Sequence, residues 1–123
     1  MSAKYSLVFS RYAEDDLSEI ITYYAAKNSQ YALKLLDTLE ARVQELHELP
    51  ARGRIIPELA QQNILEYREL IEGNYRIIYV IQDSLVVIHA ILDSRRNLEE
   101  LLPRNRQRFS FRKTQIARIL RLF

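Results

Sequence analysis

Residues 67–97 read YRELIEGNYRIIYVIQDSLVVIHAILDSRRN, and no other stretch limits the possible folds as sharply. Two apolar segments, residues 75–81 and 85–92, are each long enough for a strand and are joined by the short break Gln82-Asp83-Ser84. A third segment carrying Arg68 precedes them behind Glu72-Gly73-Asn74. Gly-Asn and Asp-Ser breaks between apolar runs are hairpin chemistry, because such tight turns need unusual backbone dihedrals. The run therefore predicts a three-stranded antiparallel meander. On residues 75–81 Arg76 shares a face with Ile78 and Val80, while residues 85–92 are apolar on both faces apart from His89, as in a strand from the middle of a sheet covered from both sides.

Upstream, residues 5–10 alternate well enough for a first strand, with Tyr5, Leu7 and Phe9 on one face. Ser10 is placed to cap a helix whose first turns hold Glu14, Asp15 and Asp16, and Leu17, Ile20, Ile21 and Tyr24 then recur at helical spacing. Asn28-Ser29 reads as a stop and restart before a second helix carrying Leu36, Leu39, Val43 and Leu46. Two helices this close in sequence pair as an antiparallel hairpin. Residues 50–63, with two of the three prolines and one of the two glycines, read as a long loop. The next strand is expected over residues 64–71, with Glu66 and Arg68 on one face and Tyr67 and Glu69 on the other. The predicted class is α+β: an N-terminal strand, a helical hairpin, the meander, and a helical tail. The expected division is a domain over 1–103 and a basic tail over 104–123.

Charge supports that division. Residues 1–103 hold 11 Lys and Arg against 16 Asp and Glu, a net of −5, whereas residues 104–123 hold seven basic residues and no acidic one. Within the tail Ile116, Ile119, Leu120 and Phe123 follow the i, i+3, i+4, i+7 spacing of an amphipathic helix. Such a tail has three open readings: packing on the free sheet face, binding an acidic partner, or an extension without a role of its own. No apolar run reaches the ~18–20 residues of a membrane span, and no segment resembles a signal-peptide core. The expected location is the cytoplasm.

Several chemistries are excluded. Two glycines cannot build a dinucleotide-binding fingerprint or a P-loop. Two histidines 42 residues apart and no cysteine leave no zinc pattern, so neither metal nor cofactor is expected. His47 reads as a solvated helix residue and His89 as a core residue. No serine lies in a nucleophile elbow. Arginine placement is what remains. Arg68, Arg76, Arg95 and Arg96 form a phosphate- or carboxylate-binding patch if they converge. Alternatively, Arg68 and Arg76 pair with Glu66, Glu69 or Glu72 across the strands.

DDLSEIITYY, a second helix ending in ELPARG, the pair Arg68-Glu69, the strands NYRIIYVIQDSLVVIHAI and the cluster Arg95-Arg96-Asn97 occur in an order that resembles the RelE/ParE toxin superfamily, over residues 5 to about 100. The resemblance implies the toxin of a type II toxin–antitoxin (plasmid stabilisation) system, with a cognate antitoxin of ribbon-helix-helix type as partner and a homodimer or a hetero-oligomer as the assembly. It also implies one of two targets. ParE-like members inhibit DNA gyrase, and RelE-like members cut messenger RNA on the ribosome. A ribonuclease needs a base for the 2′-hydroxyl, an acid for the leaving oxygen and cations for the phosphorane. Here Arg68 matches a phosphate-holding arginine, but Asp93 stands where many relatives carry His. That departure favours a gyrase-binding, non-enzymatic toxin over the endoribonuclease, and leaves a degenerate, non-toxic antitoxin binder as a further alternative. The expected partner- or phosphate-binding residues are Arg68, Arg76, Asp93, Arg95 and Arg96.

Overall fold

The computed structural model describes residues 4–93. The expected helices within 98–123, together with Arg95 and Arg96, lie outside the described residues. Strand β1 (Ser6–Phe9) leads into helices α1 (Arg11–Ala25) and α2 (Ser29–Gln44), which are followed by two single 3-10 turns at Glu45–His47 and Pro50–Arg52. Then come β2 (Arg54–Ile55), the short helix α3 (Pro57–Ala60), β3 (Tyr67–Glu72), β4 (Tyr75–Gln82) and β5 (Leu85–Asp93). The sheet order is β1-β5-β4-β3-β2, with β1 parallel to β5 and every other pairing antiparallel. The predicted meander is thus the centre of a five-stranded mixed sheet, and the α+β class holds.

Both meander turns are two residues long, closing Glu72 on Tyr75 and Gln82 on Leu85. Their first positions take left-handed φ values, +56° at Gly73 and +54° at Asp83, which glycine and aspartate reach at low cost. Ile78 pairs with Ala90 while the adjacent Tyr79 pairs with Ile88, so His89 is the extra residue of a β-bulge. It lies buried, its ring 5.3 Å from that of Tyr67 and 6.0 Å from that of Tyr12.

The bulge is where α1 is anchored. Ser10 caps the helix, its Oγ accepting from Ala13 N–H (3.1 Å) and donating to the His89 carbonyl (2.8 Å). One turn on, Asp16 Oδ2 accepts from Ile91 N–H at 2.9 Å. Because Ser10 is buried and its hydroxyl is used twice, Ser10→Ala is expected to cost about 1–2 kcal/mol, read as a lower urea midpoint at an unchanged m-value. Asn28 of the Asn28-Ser29 break caps α2, its Oδ1 accepting from Tyr31 N–H.

The helical hairpin covers one sheet face. Leu39, Val43 and Leu46 pack with Leu70, Tyr75, Ile77, Tyr79, Val86, Ile88 and Ile91. The other face carries a smaller cluster in which Ile56, Leu59 and Ile64 lie on Tyr67, Ile78, Ala90 and Leu92. Residues 50–63 are therefore more ordered than a loop. Pro50 and Pro57 each open a helical turn, and Ile64 N–H closes on the Leu59 carbonyl at 2.9 Å. That turn, with Asn63 at φ +62°, delays β3 to Tyr67, three residues beyond its expected start.

Candidate functional site

Pairing across the β3–β4 hairpin decides which arginines can meet. Arg68 pairs with Tyr79 and Ile71 with Arg76, so Arg68 and Arg76 lie on opposite faces of the sheet. Arg68, on the helix-covered face, donates through Nη1 to the Gly53 carbonyl at 2.8 Å.

Arg76, on the other face, is 8% exposed and fully engaged. Its Nε donates to Glu69 Oε1, while Nη1 and Nη2 grip Glu58 at 2.6 and 2.9 Å. Glu69 lends its second oxygen to Arg54 Nε at 2.8 Å. Four side chains from β2, α3, β3 and β4 thus form one ion-pair network. The Glu58 hydrogen bond, followed by Glu69, raises the Arg76 pKa further above its ordinary value. In return, Arg76 holds the Glu58 carboxyl below the usual carboxylate range.

The Glu58 shift has a sign that can be checked. A carboxyl depressed on folding contributes stability above its unfolded pKa, near 4.5, and loses that contribution as pH falls through the depressed folded value. Glu58→Gln should flatten the acid limb of a plot of urea midpoint against pH below about 4.5, and leave its slope above neutrality unchanged.

Asp93 ends β5 opposite Tyr75. Tyr75 lies in a tyrosine cluster at the tip of the helical hairpin. Burial first, then a hydrogen bond with Tyr24 and the nearby Asp93 charge, push its phenol pKa up. The Tyr24 ring meets Tyr23 and Tyr31 edge-on at 5.0 and 5.1 Å, and Lys27 Nζ donates to Tyr23 Oη at 2.6 Å. Tyr23 and Tyr31 remain 55% and 48% exposed, an amphipathic surface of the kind that partners bind. The only sequence signal for this cluster was a spacing, with Tyr23-Tyr24 and Tyr31 flanking the helix break at Asn28.

A second feature is a groove of about 700 Å3 along α1 and α2 beside β1. The α1 stripe read from the sequence is only half-buried: Leu17, Ile20 and Tyr24 pack against the core, and Leu17 and Ile21 also line this groove. Ser6 and Ser10 N–H bond to the carbonyls of Ser84, just before β5, and Ile88 within it, so the backbone groups of Leu7 and Phe9 point to the open edge of the sheet. His47 is tied down as well, its Nδ1 lying 2.7 Å from the Tyr5 carbonyl. Among the described residues no group of His, Asp and Glu side chains is arranged to hold a metal, and no helix is long and apolar enough to cross a membrane.

Residues 7–98 match the model of the ParE toxin of the type II toxin–antitoxin system parDE. The chain belongs to the ParE toxin family. Its fold is similar to that of a chain of the chromosomal ParDE toxin–antitoxin system from P. aeruginosa, with a TM-score of 0.63 and 22% identity over 75% of this chain and 98% of that one. It is also similar to a chain of the RelBE2 toxin–antitoxin complex from Mycobacterium tuberculosis, with a TM-score of 0.50 and 23% identity over 76% of this chain and 94% of the other. No curated protein matches the sequence. The family match ends at residue 98, short of the basic segment 104–123.

Proposed function

We propose that this ParE-family toxin acts by binding DNA gyrase, without covalent chemistry of its own, and is held inactive by a cognate antitoxin. The observation that carries this reading is the state of Arg76. A guanidinium buried between the carboxylates of Glu69 and Glu58 has its charge already matched and would have to give up those partners to hold an RNA phosphate, and Arg68 lies on the opposite face, spending a donor on a backbone carbonyl. Among the described residues, Arg68 and Arg76 therefore do not converge on one point as cations stabilising a phosphorane would, which supports the non-enzymatic reading. Of the remaining candidates, Asp93 ends β5 opposite Tyr75 of the tyrosine cluster, and Arg95 and Arg96 follow it closely in the sequence. Tyrosine and arginine together are the usual anchors of a protein–protein contact. The antitoxin, by the same reading, lies along the helical hairpin and the apolar sheet face, by an amphipathic helix or by adding a strand at the open β1 edge.

The test is gyrase supercoiling with the purified chain titrated in. Inhibition is expected at micromolar protein, and Arg95→Ala/Arg96→Ala should weaken it at least about tenfold, since one lost charge-assisted contact already has that effect. Supercoiling left intact while cell-free translation collapses would move the chain to the ribosome-dependent nuclease class. Silence in both assays would leave only antitoxin binding.

A further inference from the structure

The hairpin groove has an asymmetric chemistry. Its floor is apolar, formed by Leu17, Ile21, Leu36 and Val43, and among the described residues the charged side chains lining it are Glu14 and Glu40. Both carboxylates are exposed, and neither is ion-paired to a cation among the described residues. The edge of β1 beside it carries backbone donors and acceptors that the sheet does not use. A groove of this kind selects a segment that is apolar on one side, basic on its flanks and free of acidic residues.

The chain holds one such segment. Residues 104–123 carry seven Lys and Arg, no Asp or Glu, and the helical stripe Ile116, Ile119, Leu120 and Phe123. We propose that this segment seats in the groove between β1, α1 and α2, with its apolar stripe on Leu17, Ile21 and Leu36 and its basic flanks against Glu14 and Glu40.

The geometry of the departure from the sheet favours this seat. Asp93 pairs with Tyr75, Tyr75 bonds Tyr24, and Ile21 is one helical turn back from Tyr24 on α1. The chain therefore leaves β5 at the hairpin tip, next to the end of the groove that Ile21 and Leu36 form. From Asp93 to Ile116 the tether spans up to roughly 75 Å when extended, at about 3.3 Å per residue. The lining of α1 from Glu14 to Ile21 runs only about 10 Å. Reach is not limiting, and tethering on this scale supplies effective concentrations on the order of millimolar, enough to populate a weak contact.

The seat itself does not depend on the toxin reading. Its consequence does: an antitoxin using the hairpin would have to displace residues 104–123, which would make the segment a competitor that tunes antitoxin affinity.

Because the chain has no cysteine, the seat can be tested by paired cysteines in the full chain. Ser18 lines the groove at an exposed position, and Gln115 flanks the apolar stripe without belonging to it. Ser18→Cys/Gln115→Cys should close under mild oxidation to a disulfide that stays within one chain, at a rate unaffected by dilution. Gln62→Cys/Gln115→Cys, whose first position follows α3 on the opposite side of the sheet, is the control and should close at least about tenfold more slowly. Adding Glu14→Lys/Glu40→Lys to the groove pair should slow its closure by about tenfold, two exposed attractions having become repulsions. Equal rates in the two pairs, linkage mainly between chains, or indifference to the charge reversal would each overturn the proposal. None of these readouts involves gyrase or an antitoxin, so a failed seat and a failed toxin reading are told apart.

Discussion

Glu69→Ala is expected to cost roughly 3–5 kcal/mol and to lower the melting temperature by about 10–25 °C, because it leaves the Arg76 charge buried with only its outer partner. The Glu69 side chain is 0% exposed and accepts from Arg76 through one oxygen and from Arg54 through the other. Arg76 can turn to Glu58, but that carboxylate is itself one-quarter exposed and cannot replace a partner on β3. The loss differs from that of the pair as a whole. Removing both charges in Glu69→Met/Arg76→Leu should recover most of the stability, since an apolar pair avoids the desolvation that the ions suffer. A double-mutant cycle by urea denaturation reads the difference. A single-mutant loss under about 1 kcal/mol would mean that water reaches the pair and that it resembles a surface bridge.

The same pair shows what the sequence carried and what it did not. The alternative of a cross-strand partner for Arg76 named Glu69 among its candidates, and the alternation of β3 and β4 fixed the faces correctly. The two-residue turn at Gly73-Asn74 sets Glu72 against Tyr75, and counting back from it puts Arg68 opposite Tyr79 and Ile71 opposite Arg76. The separation of Arg68 from Arg76 was therefore legible in principle, and the notion of a converging patch on this hairpin ignored it. Glu58 and Arg54 were not legible, because the contacts that bring α3 onto the sheet are tertiary.

Likewise, β1 announced itself as a strand but not its place. A parallel partner reached across a helical hairpin leaves no local mark, and the placement beside β5 follows from the handed crossover and the anchoring of Ser10 at the bulge. The prolines of 50–63 misled in a specific way. They were read as breakers, yet both occupy first helical positions, where a missing N–H costs nothing. Family membership was the most legible property of all, because it rests on the order of several weak motifs, and order survives where single contacts are invisible.

Gly53→Ala is expected to destabilise the chain by roughly 2–5 kcal/mol, combining overpacking with a lost buried hydrogen bond. The reason is space and not backbone conformation, for Gly53 sits at φ −75°, where any residue is comfortable. A Cβ there would lie 2.5 Å from the Glu69 carbonyl oxygen and 2.7 Å from Tyr79 Oη. The backbone oxygen belongs to the β3 ladder and cannot yield. The hydroxyl accepts from Gly53 N–H at 2.8 Å and donates to the Pro50 carbonyl at 2.7 Å, so it is held from both sides. The Gly53 carbonyl in turn receives Arg68, so the substitution disturbs the turn after α2, the β2 edge and the Arg68 anchor together. Gly73 provides the contrast. Nothing lies within 4 Å of a Cβ built there, but its φ of +56° makes Gly73→Ala a conformational cost of about 1–2 kcal/mol. The decisive comparison adds Tyr79→Phe to Gly53→Ala. Removing the hydroxyl relieves the softer contact and leaves the backbone contact intact, so the double variant should remain at least as unstable as the single one. Recovery of the urea midpoint in the double variant would show instead that only the hydroxyl stood in the way, and that the ladder oxygen can move.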